Sequence, residues 1–224
     1  MKGKRRDKKR KAARPRERSL DPRPVVLIVC EGQNTEPEYF EGLVAHFDNP
    51  RVRILPLKSQ GVPLTIVQTA QEKKEEAEAK ALKRDDENIA FESVWCVFDR
   101  DDHPDIPTAY SLAKAKGLHI AFSNPCFELW LLLHFRDEPG MKHRDAVATL
   151  LKKKVPTYDK RKKKIDIVKF IEGYPKAIRR AKRLCATKDD RKPWDRNPYT
   201  DVHILTELIT APAPEPPGDP EPTD

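Results

Sequence analysis

Two short apolar runs stand out from an otherwise polar chain, and both end abruptly in acid. The first, Val25 to Cys30 (VVLIVC), runs into Glu31-Gly32; the second, at 93–98, runs into Asp99-Arg100-Asp101-Asp102. Both are rich in β-branched residues and unrelieved by charge, the pattern of strands buried on both faces of a parallel sheet. After the first, Thr35-Glu36-Pro37-Glu38 reads as a capping box with proline in the first turn. Tyr39, Phe40, Leu43, Val44 and Phe47 then recur at helical spacing. Residues 51–57 (RVRILPL) alternate and predict a second strand. Pro63 opens a long charged helix to about Arg84 whose apolar stripe is weak, so one face is expected in solvent. Ile106 to Lys116 predicts a helix closed by Gly117, and Leu118 to Phe122 a fourth strand. The order β-α-β-α-β-α-β specifies an α/β fold: a parallel four-stranded sheet with helices on both faces.

The next segment, SNPCFELWLLLHF, offers Asn124 as helix N-cap and Pro125 as first helical residue. Its helix is apolar nearly all round and is expected to be buried. Glu128 sits one turn into it and needs a partner there: its own helix's amides, a base, or a metal site. His134 shares a face with Phe127 and Leu131 and reads as a satisfied core histidine. From residue 142 the character changes to basic helices at 143–154, 165–172 and 175–186, joined by KVPTYDKRKKK. Asn197-Pro198-Tyr199-Thr200 is read as the start of a last helix over 200–210, with Val202, Leu205 and Ile209 on one face. The expected organisation is a disordered basic arm (1–23), an α/β core (24–141), a basic helical extension (142–210) and a disordered acidic, proline-rich tail (211–224).

Charge sharpens that division. Residues 1–24 carry twelve Lys/Arg against three acids, residues 25–141 twelve against twenty, and residues 142–192 nineteen against six. An acidic centre between basic flanks suits an enzyme that holds a metal centrally and grips a polyanion, DNA or RNA, peripherally. The four cysteines are scattered without a C-x-x-C pair, which argues against zinc or a disulfide framework and for a reducing, cytoplasmic setting. No apolar run reaches the length of a membrane span, so no membrane partner is expected.

The chemistry concentrates at the strand ends. Asp99 and Asp101 are spaced i, i+2, so in extended chain their carboxylates leave on one side and repel unless a cation lies between them. A hard, oxygen-preferring ion, Mg²⁺ or Mn²⁺, suits that pair. Open α/β sheets collect function at the carboxyl ends of their strands. If the two acid-ended strands are neighbours, Glu31 joins Asp99 and Asp101 in one pocket, as a further metal ligand or a proton carrier. Gly32 would let the backbone turn close to a phosphate. Asp102 and Glu128 are secondary candidates at the same place.

An E-G at one strand end and a D-x-D at a later one resemble the Toprim signature of topoisomerases, primases and several nucleases. More closely, VLIVCEGQNTEPEYF, VFDRDDH, SNPCFELWLLLHF and NPYTDVH together resemble the RloB-like family over about residues 24–210. That resemblance implies a Toprim-like fold, related to OLD-type nucleases, and a Mg²⁺-dependent nuclease role. It also implies prokaryotic defence against phage of the abortive-infection kind, often beside an ABC-type ATPase. Its substrates would be DNA or RNA, tRNA included. The D-x-D here runs into Asp102-His103-Pro104 rather than the glycine common in Toprim loops. Lys160 is the candidate for the extra basic residue that some Toprim nucleases place near the phosphate. Two rival classes stand beside this reading. A haloacid-dehalogenase-type phosphatase also places D-x-D after a strand, but wants Thr or Val where this chain has His103 and does not need Glu31-Gly32. A non-catalytic Toprim-like module would keep the shape and serve an ATPase or nucleic acid without cleavage.

Overall fold

A computed structural model describes residues 26–31, 35–57, 62–100, 105–158, 165–187 and 189–212. The expected basic arm, most of the acidic tail, and the candidates Gly32, Asp101, Asp102 and Lys160 lie outside the described residues.

Strands β1 (Val26–Cys30), β2 (Val52–Pro56), β3 (Ser93–Asp99) and β4 (His119–Asn124) form a parallel sheet, and β5 (Tyr199–Thr200) adds to its edge antiparallel to β4. The spatial order is β2-β1-β3-β4-β5. The two acid-ended strands are therefore direct neighbours, with Cys30 opposite Val97. Parallel neighbours need long crossovers, supplied by α1 (Thr35–His46), α2 (Pro63–Arg84) and α3 (Ile106–Ala115). After α3 the chain turns into β4 through Gly117 at φ +62°, a left-handed conformation that glycine adopts without steric cost.

Alternation along the strands splits the interior in two. Leu27, Val29, Val94, Cys96 and Phe98 face α2 and α3. Ile28, Cys30, Trp95 and Val97 face a larger core shared with α1, α4 (Glu128–Leu133), α5 (Arg144–Lys154), α7 (Tyr174–Ala186) and α8 (Val202–Thr210), and with Phe170 of the single-turn α6 (Val168–Ile171). Every residue of α4 is buried, as its all-round apolar sequence requires. Truncating one of its leucines to alanine should cost about 2–5 kcal/mol through the cavity left behind.

Three expectations need correction. The sheet has five strands, not four, and is mostly rather than wholly parallel. The fifth comes from the stretch read as all helix, because two residues are too few to show an alternating pattern; α8 starts only at Val202. Second, Asn124 does not cap a helix. It ends β4 in register with Tyr199, the Asn124–Pro125 peptide is cis, and α4 begins at Glu128. Third, the helix expected over 165–172 is a single turn.

Candidate functional site

The site begins where β1 and β3 stop. Glu31 N–H donates to the Val97 carbonyl at 3.0 Å, which carries the pairing one residue past the end of β1. The Glu31 side chain then returns across the strand boundary, and its Oε2 accepts the Asp99 N–H at 3.2 Å. Arg100 N–H pairs in turn with the Ser123 carbonyl at 2.8 Å, tying the other side of β3 to β4. The adjacency predicted from two apolar runs thus brings Glu31 and Asp99 together.

Asp99 is 6 % exposed and Glu128 2 %. Burial pushes the Asp99 carboxyl well above its ordinary 3.8, and the facing carboxylates of Glu36, Glu128 and Glu31 push it in the same direction. A hydrogen bond from the Phe127 backbone N–H opposes them. Three acids therefore act on Asp99 at the end of β3 through their charge: Glu31 after β1, Glu36 in the first turn of α1 and Glu128 opening α4. Glu128 Oε1 accepts from the Tyr158 hydroxyl at 2.9 Å. With that proton committed, the Thr35 hydroxyl 3.4 Å away is left to donate to Tyr158. Burial and the Glu128 charge raise the Tyr158 pKa, so the phenol stays protonated as the donor.

Glu36, Thr35 and Tyr158 were not among the site candidates read from the sequence. Thr35 and Glu36 sat inside a helix-start motif that fully accounted for them, and Tyr158 inside a lysine-rich linker. The signal available was that Tyr158, like the apolar Val155, stands among the charges of KVPTYDKRKKK and asks for burial. The other candidates separate from the site. His134 is buried with Nδ1 3.1 Å from the Trp130 carbonyl and Nε2 3.2 Å from the Tyr39 hydroxyl, and burial lowers its pKa to about 4. It is a neutral core histidine. The arginine between the acids also serves the fold: Arg100 Nε donates to the Trp194 carbonyl at 3.0 Å, and Asn124 Nδ2 donates to the same oxygen at 3.1 Å.

The donor chemistry at this point is all oxygen and negatively charged, the class that suits Mg²⁺ or Mn²⁺. Among the described residues, no three His, Cys, Asp or Glu side chains stand close enough together to hold an ion. The described carboxylates fit such an ion in kind and are not gathered closely enough to form a complete set. Also among the described residues, no helix is long and apolar enough to cross a membrane.

No curated protein and no solved structure matches the chain. A family model described as RloB-like protein matches residues 26–209, from the first residue of β1 to the penultimate residue of α8 and across every carboxylate of the strand-end cluster. The chain therefore belongs to the RloB-like family.

Proposed function

We propose that the chain is a Mg²⁺- or Mn²⁺-dependent nuclease of Toprim type that hydrolyses nucleic acid phosphodiesters as an effector of prokaryotic anti-phage defence. The observation that carries this reading is the convergence of Glu31 on the Asp99 backbone, with Glu128 and Glu36 facing the buried Asp99 carboxyl. Like charges gathered in a buried corner destabilise the fold, and they mark a site where a cation or a proton transfer makes use of them. Asp99 would hold the ion together with Asp101, which lies outside the described residues. A bound divalent ion supplies charge stabilisation to the phosphate and lowers the pKa of water. Glu31 would take the proton of the attacking water or return one to the leaving oxygen. One P–O bond forms from water, one P–O bond to the sugar oxygen breaks, and the proton passes between those oxygens. Tyr158 fixes the Glu128 carboxylate by its hydroxyl and keeps it turned into the cluster. An ABC-type ATPase is the expected protein partner, and the cytoplasm the expected setting.

The test is cleavage of labelled tRNA, other RNA and DNA with and without Mg²⁺ or Mn²⁺, by wild type and by Asp99→Ala, Asp101→Ala and Glu31→Gln. The expected outcome is metal-dependent cleavage by wild type, loss of metal binding in the Asp variants, and retained metal binding without turnover in Glu31→Gln. Full activity in both Asp variants would show the pocket to be misassigned. A wild type that binds metal yet never cleaves, even beside its ATPase, would be a binding module.

A further inference from the structure

Helix α7 carries a second, oppositely charged feature at the far end of α4. Its apolar residues, Ala177, Ile178, Ala181 and Leu184, enter the core. The opposite side presents Lys176, Arg179, Arg180, Lys182 and Arg183, which with Asp137 line a surface cavity of about 710 Å³. At 3.6 residues per turn these five cations fall within an arc of roughly 160°. From Lys176 to Ala186, the last of the lining residues, the wall runs about 15 Å along the helix.

The position of this face is built in. Gly173, at the N-cap of α7, lies so close to the His134 carbonyl that a Cβ there would collide with it. Arg180 Nη1 donates to the Leu133 carbonyl at 2.7 Å, fastening α7 to the end of the buried helix that opens with Glu128. Arg180 and Arg183 share Asp137, and Lys182 pairs with Glu207. Lys176 and Arg179 are exposed and have no ion-pair partner among the described residues. Glu128 and Leu133 are separated by about 8 Å along α4, so the cation-lined wall and the acidic cluster stand at opposite ends of one short, rigid helix.

We propose that this trough binds the backbone of single-stranded nucleic acid, with Lys176 and Arg179 as its phosphate contacts, and so guides a strand toward the strand-end site. Its chemistry selects the occupant. Five of its seven lining residues are cationic, so the wall sets a row of positive heads on aliphatic stems along one helix, which suits a chain of repeated phosphates. A length of about 15 Å spans more than one phosphate of a single strand, more than a mononucleotide offers. The inference rests on nucleic acid being the ligand of the strand-end site, and not on that site cleaving it.

The experiment measures binding of labelled 20-nucleotide polyuridine and polydeoxythymidine in EDTA, over a salt series, so that cleavage plays no part. The full chain is compared with Lys176→Gln/Arg179→Gln and with a control, Lys80→Gln/Lys83→Gln, that removes the same charge from α2. Thermal melting of each establishes that all three are folded. Losing two phosphate contacts should lower the slope of log K against log salt by about 1.4 for a single strand. Affinity at low salt should fall about tenfold or more, with the control near wild type. Equal losses in both double variants would reduce the effect to net charge and overturn the proposal. Absent binding by the wild type at low salt would overturn it too. Preferential loss with one polymer identifies the sugar the trough favours; equal loss with both assigns it to phosphate alone, and each is a supporting outcome.

Discussion

Asp99 and Asp201 make an instructive pair. Asp99 ends β3 and Asp201 follows β5; Asp99 is buried and Asp201 half-buried, and desolvation raises the pKa of each carboxyl above its ordinary 3.8. Their neighbours differ. Asp201 accepts the Phe122 N–H at 2.7 Å through Oδ1 and the Tyr199 hydroxyl at 3.1 Å through Oδ2. These bonds hold its pKa to about 6. The carboxylate pins the β5 edge to β4. Asp99 receives one backbone N–H and faces three other carboxylates. Desolvation thus acts on both and by itself decides nothing. A buried acid with its acceptors filled belongs to the fold, and one set against like charges is a candidate for chemistry.

The largest expected difference between the two is in activity. Asp99→Asn should abolish metal-dependent cleavage, and Glu31→Gln should lower kcat by on the order of 10²- to 10⁴-fold through the lost proton transfer. Asp201→Asn should leave kcat within a few-fold of wild type, since it keeps an acceptor and touches none of the cluster. Steady-state kinetics on one substrate across the three variants makes the check. If Asp201→Asn is as damaging as Asp99→Asn, the two carboxylates cannot be assigned different roles.

The next effect is in stability and runs the other way. Asp201→Ala leaves the Phe122 N–H and the Tyr199 hydroxyl without their acceptor, at a cost of about 1–3 kcal/mol. For a chain of this size that lowers Tm by roughly 2–4 °C per kcal/mol. Asp201→Asn should lose much less. A melting curve for the alanine variant that overlays wild type would show that the latch contributes nothing.

This contrast also explains what the sequence could and could not disclose. Asp99 and Glu31 were legible because each ends an unbroken apolar run, and the run itself specifies a buried parallel strand. Their neighbour relation was a condition in the sequence, met by the spatial order that sets β1 beside β3. The NPYTDVH segment was recognisable as part of a family resemblance, yet its role was not. A two-residue edge strand has no period, and the proline before Tyr199 looks like a helix start. Asp201's bond to Phe122 spans 79 positions, and no local pattern encodes that. Tyr158 and Glu36 were hidden for the same reason: each meets the cluster only through tertiary packing. Glu128 was noticed because a carboxylate in an apolar helix calls for a partner, and the partner turned out to be Tyr158.

The smallest effect is one of sign, and it separates the two carboxylates by pH. A carboxyl whose folded pKa lies above its unfolded value binds more protons when folded, so its stabilising contribution is greatest below the unfolded value. That contribution is lost as pH rises through the window between the two values. For Asp201 the window spans about 3.8 to about 6. For Asp99 it begins at the same 3.8 and extends well upward, because Glu36, Glu128 and Glu31 add to burial. Asp99→Asn cannot ionise and keeps an oxygen to accept from Phe127 N–H. Without divalent ions it should therefore melt above wild type at neutral pH. The gain should shrink as pH falls and vanish below 3.8. Melting curves of the two proteins in EDTA from pH 3.5 to 8 test this. Added Mg²⁺ or Mn²⁺ should then raise the wild-type Tm and leave that of Asp99→Asn unmoved, since an ion stabilises only the folded form that holds it. A variant that melts below wild type by the same margin at every pH would mean that Asp99, like Asp201, is held for the fold.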